Sequence, residues 1–194
     1  MIKVYLAGPD VFLPDPVAWL ARKQAICAGL GLTGVSPLDE LQQEPASWAA
    51  LPLWRRLALR NEAHIRGCAA VIANLTPFRG PSADVGTAYE VGFARGLGLP
   101  VFGYGTVAAP FLERTVDFLA GQGQQATDGT WWDADGLLVE QFGLSDNLMI
   151  EAAIVASGTE MVRQDADRWN DLSVFERCAQ QAARVLAGTG VSPA

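Results

Sequence analysis

Three residues of the stretch ADVGTAYEVGFARG, 83–96, have types and spacing suited to covalent chemistry: Asp84, Gly86 and Glu90. Asp84 precedes a helix expected over about 84–97, where its side chain can accept a bond from a free backbone N–H. Glu90 lies in the second turn, and helical side chains lean toward the N-terminus. Its carboxylate therefore reaches back over Gly86, where no side chain blocks approach. The positive end of the helix favours an ionised carboxylate there, by up to about 1 kcal/mol. A charged oxygen beside an empty volume is what a covalent nucleophile requires. Two carboxyl groups flanking a sugar are also the usual equipment for breaking a glycosidic bond, at ~5–5.5 Å apart when configuration is retained. The bland alternatives are an N-cap at Asp84 and a surface glutamate at 90. The second is weakened by the neighbours Ala88, Tyr89, Val91, Phe93 and Ala94, which suggest that little of this helix is solvated.

The elements that must position these groups alternate. IKVYLA, 2–7, reads as a buried strand closed by Gly8-Pro9, and a helix follows over 16–29. A second strand covers 32–35. A long helix is expected over 48–67 with Ser47 as its cap, Pro52 standing in its first turn or marking a break. CAAVIANL, 68–75, is apolar without alternation, as in a strand covered on both faces. After the 84–97 helix comes a strand at 100–105. Helices are then expected over 110–121, 147–159 and 172–188. A loop carrying the exposed pair Trp131-Trp132 spans 122–136, and a short extended segment follows it. The last six residues, TGVSPA, are expected to fray. This order predicts a single α/β domain over 1–194, with an open parallel sheet and helices on both faces. Ligands bind such sheets outside the carboxyl ends of the strands. The loops GPDVFLPDP, PLDE and TPFRGPSAD should therefore meet at one place.

Composition narrows the function classes. The 194 residues are 50% hydrophobic and 18% charged, which fits a globular fold. Fourteen basic against 21 acidic residues give a net charge of −7, and no Lys/Arg run occurs, so a nucleic acid polymer is an unfavourable partner. Three cysteines, Cys27, Cys68 and Cys178, without a CxxC suggest neither a disulfide framework nor a zinc site; they read as small buried hydrophobes. One histidine, His64, excludes a two-histidine metal site and reads as an ordinary surface or capped residue of a helix. The apolar part of the N-terminus is short for a signal peptide, and no stretch of about 18 apolar residues occurs, so neither export nor a membrane span is expected and the location expected is the cytoplasm.

The motifs VYLAGPDVF (4–12), PLDE (37–40), ANLTPFRGPSADVGTAYEVGFARGLGLPVFGY (73–104) and DADGLLVEQFGLSDNLMI (133–150) resemble those of the nucleoside 2-deoxyribosyltransferase family, in the family's order. The resemblance implies a flavodoxin-like sheet in the order 2-1-3-4-5 with extra C-terminal helices. It implies exchange of the nucleobase on a 2′-deoxyribonucleoside by a retaining double displacement, with free nucleobases as second substrates and no cofactor or metal. Glu90 matches the nucleophile, Asp84 the acid that assists the base, and Tyr5 a tyrosine that positions the nucleophile. Gly8, Asp10, Phe12, Asn61, Gly86, Asn147 and Met149 match substrate-binding positions. Asn147 would act from a neighbouring subunit of a homo-oligomer. Asn61 departs from family members that carry an aspartate there; an amide both donates and accepts.

A deoxyribosyl cation lacks an electron-withdrawing 2′-hydroxyl, and a carboxylate beside C1′ stabilises its positive charge. Two other readings share these residues: a hydrolase of 2′-deoxynucleosides or their 5′-monophosphates, in which water replaces the base, and a nucleotide sensor without chemistry. Arg79 would bind a phosphate in either, or else anchor its loop. The range of bases accepted is left open.

Overall fold

The computed structural model describes residues 1–188; the expected fraying of 189–194 lies outside them. Five parallel strands form the central sheet: β1 (Ile2–Ala7), β2 (Leu32–Val35), β3 (Ala70–Asn74), β4 (Val101–Gly105) and, after the hairpin strands β5 (Gln124–Gln125) and β6 (Trp131–Trp132), β7 (Val162–Arg163). The order is β2-β1-β3-β4-β7. This is the flavodoxin-like arrangement expected, with β7 in the fifth place. β3 and β4 are buried along their whole length, which explains their unbroken apolar sequences.

Among the described residues six helices surround the sheet: α1 (Pro16–Gly29), α2 (Leu53–Arg66), α3 (Val85–Gly96), α4 (Phe111–Phe118), α5 (Leu148–Val155) and α6 (Ser173–Gly188). Alternation along β1 divides the core. Val4 and Leu6 face the layer of α1 and α6, where Trp19, Cys27, Phe175 and Cys178 pack. Tyr5 and Ala7 face the layer of α2, α3 and α5, with Ile65, Val91, Ala94 and Ile154. The same alternation puts Tyr5 on the side of α3 and hence of Glu90. All three cysteines are buried and free, as expected.

Four expectations are corrected. The helix expected over 48–67 is divided: a 3₁₀ turn (Ala46–Ala50) precedes α2, whose N-cap is Pro52 rather than Ser47. Proline lacks an N–H and has a fixed φ, so it serves before a first turn and not inside a helix. His64 is not a surface residue of its helix; it is buried, with Nε2 3.0 Å from the Asp39 carbonyl. The segment 122–136 is not all loop, because β5 and β6 pair across it. Nor is α3 mostly covered: Val85 is 84% exposed and Tyr89, Gly92 and Gly96 also face outward.

Candidate active site

β1 delivers the first wall. Gly8 has φ 154°, and a Cβ there would lie 2.5 Å from Asp10 Oδ2 and 2.7 Å from Asn74 Cβ, so only glycine fits. The chain then makes a 3₁₀ turn, Pro9–Phe12. Asp10 points into the protein and is 1% exposed. It accepts bonds from Trp19 Nε1 and Lys23 Nζ, both at 2.8 Å, and from Asn74 Nδ2 at 3.3 Å. This network anchors the turn, while Val11 and Phe12 face outward over a cleft. Asp10, expected to bind substrate, has its oxygens turned to α1, where Lys23 supplies the counter-charge that a buried carboxylate needs.

The second wall is the junction into α3. Asp146, itself buried, accepts from Ser82 Oγ at 2.5 Å and from Ala83 N at 2.9 Å. Arg114 supports the same junction by donating to Pro81 O, Ala109 O and Ser145 O, 3.8 Å from Asp146. Asp84 follows as the N-cap, its Oδ2 accepting from Thr87 N at 2.9 Å and from Thr87 Oγ1 at 3.1 Å. A Cβ on Gly86 would meet only this Asp84 side chain, at 3.0 Å, so the space over the first turn is otherwise open.

Glu90 stands one turn later and is 9% exposed. Its Oε1 accepts from Tyr5 Oη at 2.7 Å and from Asn61 Nδ2 at 3.3 Å. Oε2 has no hydrogen-bond partner among the described residues. Burial pushes the carboxyl up to about 7; the Tyr5 bond opposes this, the Asp84 charge adds to it, and the Asn61 bond opposes it. Burial thus opposes the preference for the ionised form expected at the helix end. Burial also raises the Tyr5 hydroxyl far above its ordinary range, with the Glu90 charge next in importance, so Tyr5 remains a donor.

These walls enclose a cleft of about 220 Å³. Gly8, Val11 and Phe12 line it from the first loop, Pro37 and Leu38 from the second, Leu57 and Asn61 from α2, and Asp84, Gly86, Thr87 and Glu90 from α3 and the loop before it. The three loops thus converge as the topology requires. Tyr5 lies behind the cleft and meets it through its bond to Glu90. Asn147 and Met149 are not among the lining residues: Asn147 caps α5 and donates to Glu140 Oε2 at 2.8 Å, and Met149 is 71% exposed. Among the described residues, no three His, Cys, Asp or Glu side chains are grouped to hold a metal ion.

The family model for nucleoside 2-deoxyribosyltransferases matches residues 4–149. The chain belongs to the nucleoside 2-deoxyribosyltransferase family. It is accordingly an enzyme, a pentosyltransferase that moves a 2-deoxyribosyl group. It is similar to a 2-deoxyribosyltransferase from Leishmania mexicana, at 29% identity and a TM-score of 0.64, over 95% of this chain and 98% of that one. A protein of Schizosaccharomyces pombe described as uncharacterized is 33% identical over 166 residues, 80% of this chain and 78% of that protein. A conserved protein from Enterococcus faecalis shares the fold, at 20% identity and a TM-score of 0.52 over 94% of this chain and 99% of that one. No helix of this deoxyribosyltransferase among the described residues is long and apolar enough to cross a membrane.

Sequence reasoning missed Thr87 and Leu57. Thr87 fixes Asp84 through two bonds to one oxygen, and its signal was the residue type three places after an acidic cap. Leu57 faces the cleft from α2 with no sequence mark beyond its helical spacing to Asn61.

Proposed function

We propose that this deoxyribosyltransferase works by double displacement through a glutamyl ester at Glu90. The Glu90 carboxylate attacks C1′ of a 2′-deoxyribonucleoside, the C1′–N bond breaks, and its electron pair leaves with the base. Asp84 lies at the same cleft and assists the base by handling its proton. A second base then attacks C1′ from the opposite face, expels the carboxylate and restores the original configuration. One observation carries this reading: Glu90 is a buried carboxylate facing a cleft, held on one oxygen by neutral donors only. Neutral donors orient a nucleophile without quenching its charge, and the raised basicity of the carboxylate strengthens its attack on C1′. Tyr5 and Asn61 set the rotamer, so Asn61 serves the nucleophile as well as any base.

The reading includes a homo-oligomer in which Asn147 and Met149 serve the cleft of a neighbouring subunit. The cleft, at about 220 Å³, falls below the ~300–1,000 Å³ usual for small-molecule sites, which leaves room for a second wall. Trp54, Val85, Tyr89, Met149 and Val155 form exposed apolar surface on α2, α3 and α5, the layer that holds the cleft. A cytoplasmic role in reusing nucleosides belongs to the same reading, supported by three reduced, buried cysteines.

The test is base exchange. With deoxyinosine and adenine together, deoxyadenosine forms; with deoxyinosine alone, little hypoxanthine appears. Hypoxanthine release at equal rates in both mixtures supports the hydrolase instead, and no change with binding intact supports the sensor. Mixing inactive Glu90→Ala and Asn147→Ala proteins restores part of the activity if sites are shared between subunits. No recovery, after subunit exchange is verified by native mass spectrometry, contradicts the shared site.

A further inference from the structure

A second recess lies next to the cleft and is used by nothing described above. It encloses about 310 Å³, and Phe12 lines both it and the catalytic cleft. Its walls are aromatic. Phe12 and Phe78 are stacked with centroids 5.4 Å apart and planes 16° apart, and Trp169 meets Phe78 edge-on at 6.3 Å. Two cations share this recess, Arg79 and Arg168. The Arg79 guanidinium lies 4.6 Å from the Phe78 centroid and 5.2 Å from that of Phe12.

The recess brings two charges of the same sign together. The chain carries a net charge of −7, and Arg56, Arg60 and Arg114 each have a carboxylate within ion-pair range. Arg79 and Arg168 have no such partner among the described residues, and both side chains belong to exposed residues. Two unneutralised guanidinium groups beside one recess favour an anion, and their planar forks suit a phosphate. Arg79 also has φ 57°, a left-handed backbone that a residue with a side chain adopts at a cost. The Phe78 N–H to Ser82 carbonyl bond, 3.0 Å, closes the loop around it.

We infer that this recess binds a nucleoside 5′-monophosphate, the base lying against Phe12, Phe78 and Trp169 and the phosphate held by Arg79 and Arg168. The aromatic faces select a planar ring and accept any base, since stacking discriminates weakly among them. The arginine pair selects the phosphate that a nucleoside lacks. The volume, at the low end for ligand sites, suits one phosphate better than a chain of them. The site needs neither Glu90 nor the deoxyribosyl ester, so it stands or falls apart from the proposed reaction.

Calorimetric titration of the Glu90→Ala protein tests it without turnover, using 2′-deoxyadenosine 5′-monophosphate, 2′-deoxyadenosine and inorganic phosphate as separate probes. The monophosphate is expected to bind at least about tenfold more tightly than either of the other two. An Arg79→Asn/Arg168→Gln double variant is expected to lose that advantage while leaving deoxyadenosine binding unchanged; asparagine tolerates the left-handed backbone at 79. A matched thermal melt shows that the variant is folded, and the single Arg168→Gln variant, which leaves the loop untouched, should show part of the loss. Adding Gly86→Leu, which fills the catalytic cleft, should leave monophosphate binding intact. The inference is overturned if the monophosphate binds no better than the nucleoside, if phosphate alone binds equally well, if the arginine variants leave affinity unchanged, or if Gly86→Leu abolishes binding.

Discussion

Asp10 and Glu90 are buried carboxylates at the carboxyl end of the sheet, one on each side of β1. Asp10 is enclosed with Lys23, Trp19 and Asn74 against α1. Glu90 is enclosed with Tyr5 and Asn61 against α3 and α2. Asp10 has a full counter-charge at 2.8 Å, and Lys23 is further covered by the Tyr104 and Phe175 rings. Glu90 has neutral donors, a second acid nearby and an open side. Burial is common to both; the partner decides the outcome. A carboxylate paired with a cation becomes part of the architecture, whereas one held only by a hydroxyl and an amide lacks a counter-charge and is driven toward protonation.

Four measurements sharpen or break this contrast. The largest effect belongs to Glu90→Gln, which keeps the shape and removes the charge. Base exchange should fall at least about a thousandfold, ~4 kcal/mol of barrier, with the fold intact. Residual exchange above a few per cent of wild type removes Glu90 from the nucleophile's role.

Next is Lys23→Met, which strands the Asp10 charge in the core. Unfolding free energy by urea denaturation should drop by about 3–5 kcal/mol, and the Asp10→Asn/Lys23→Met double variant should regain part of it. A loss below about 1 kcal/mol would mean that the pair does not organise the first loop.

A smaller effect concerns pH. The Glu90 carboxyl titrates at about 7 in the fold against an ordinary 4.5, so the fold favours its protonated form. That contribution to stability is complete below about 4.5 and disappears as pH rises through about 7. Glu90→Gln avoids the charge, so its stability advantage over wild type should be small at acid pH and grow to at most about 3 kcal/mol above neutrality. An advantage that does not change between these limits contradicts the assigned shift. Activity runs the other way, because the attacking form is ionised: kcat/KM should rise with pH along a limb near the same value.

The smallest effect tests the donor. Tyr5→Phe deletes a bond that holds the carboxyl down, so the acid limb should move up by roughly one pH unit. A limb that stays in place means the Tyr5 hydroxyl only packs.

The sequence carried the sheet because β1, β3 and β4 are apolar runs bounded by glycine and proline, and burial on both faces writes itself into composition. β7 left no comparable mark: it is two residues long, and Arg163 is exposed. The cleft-facing side of α3 was legible from Asp84, Gly86 and Glu90, since helical geometry alone puts all three positions at one opening. Asp10 was not, because one residue's spacing cannot tell whether a turn points its acid toward substrate or toward a lysine 13 positions later. The acidity of Glu90 was also hidden. It depends on how much water the folded neighbours exclude, which no local pattern records.

The central claim is a covalent bond to Glu90, and rapid-quench intact-mass analysis with peptide mapping tests it most directly. Mixed with deoxyinosine and no acceptor base, the protein should gain the mass of one 2-deoxyribosyl group, mapped to Glu90, as hypoxanthine appears in a burst of one equivalent per site. The adduct should vanish when adenine is added, as deoxyadenosine forms. Turnover without any adduct on Glu90 at the shortest quench times, or an adduct mapped to another residue, would contradict the account.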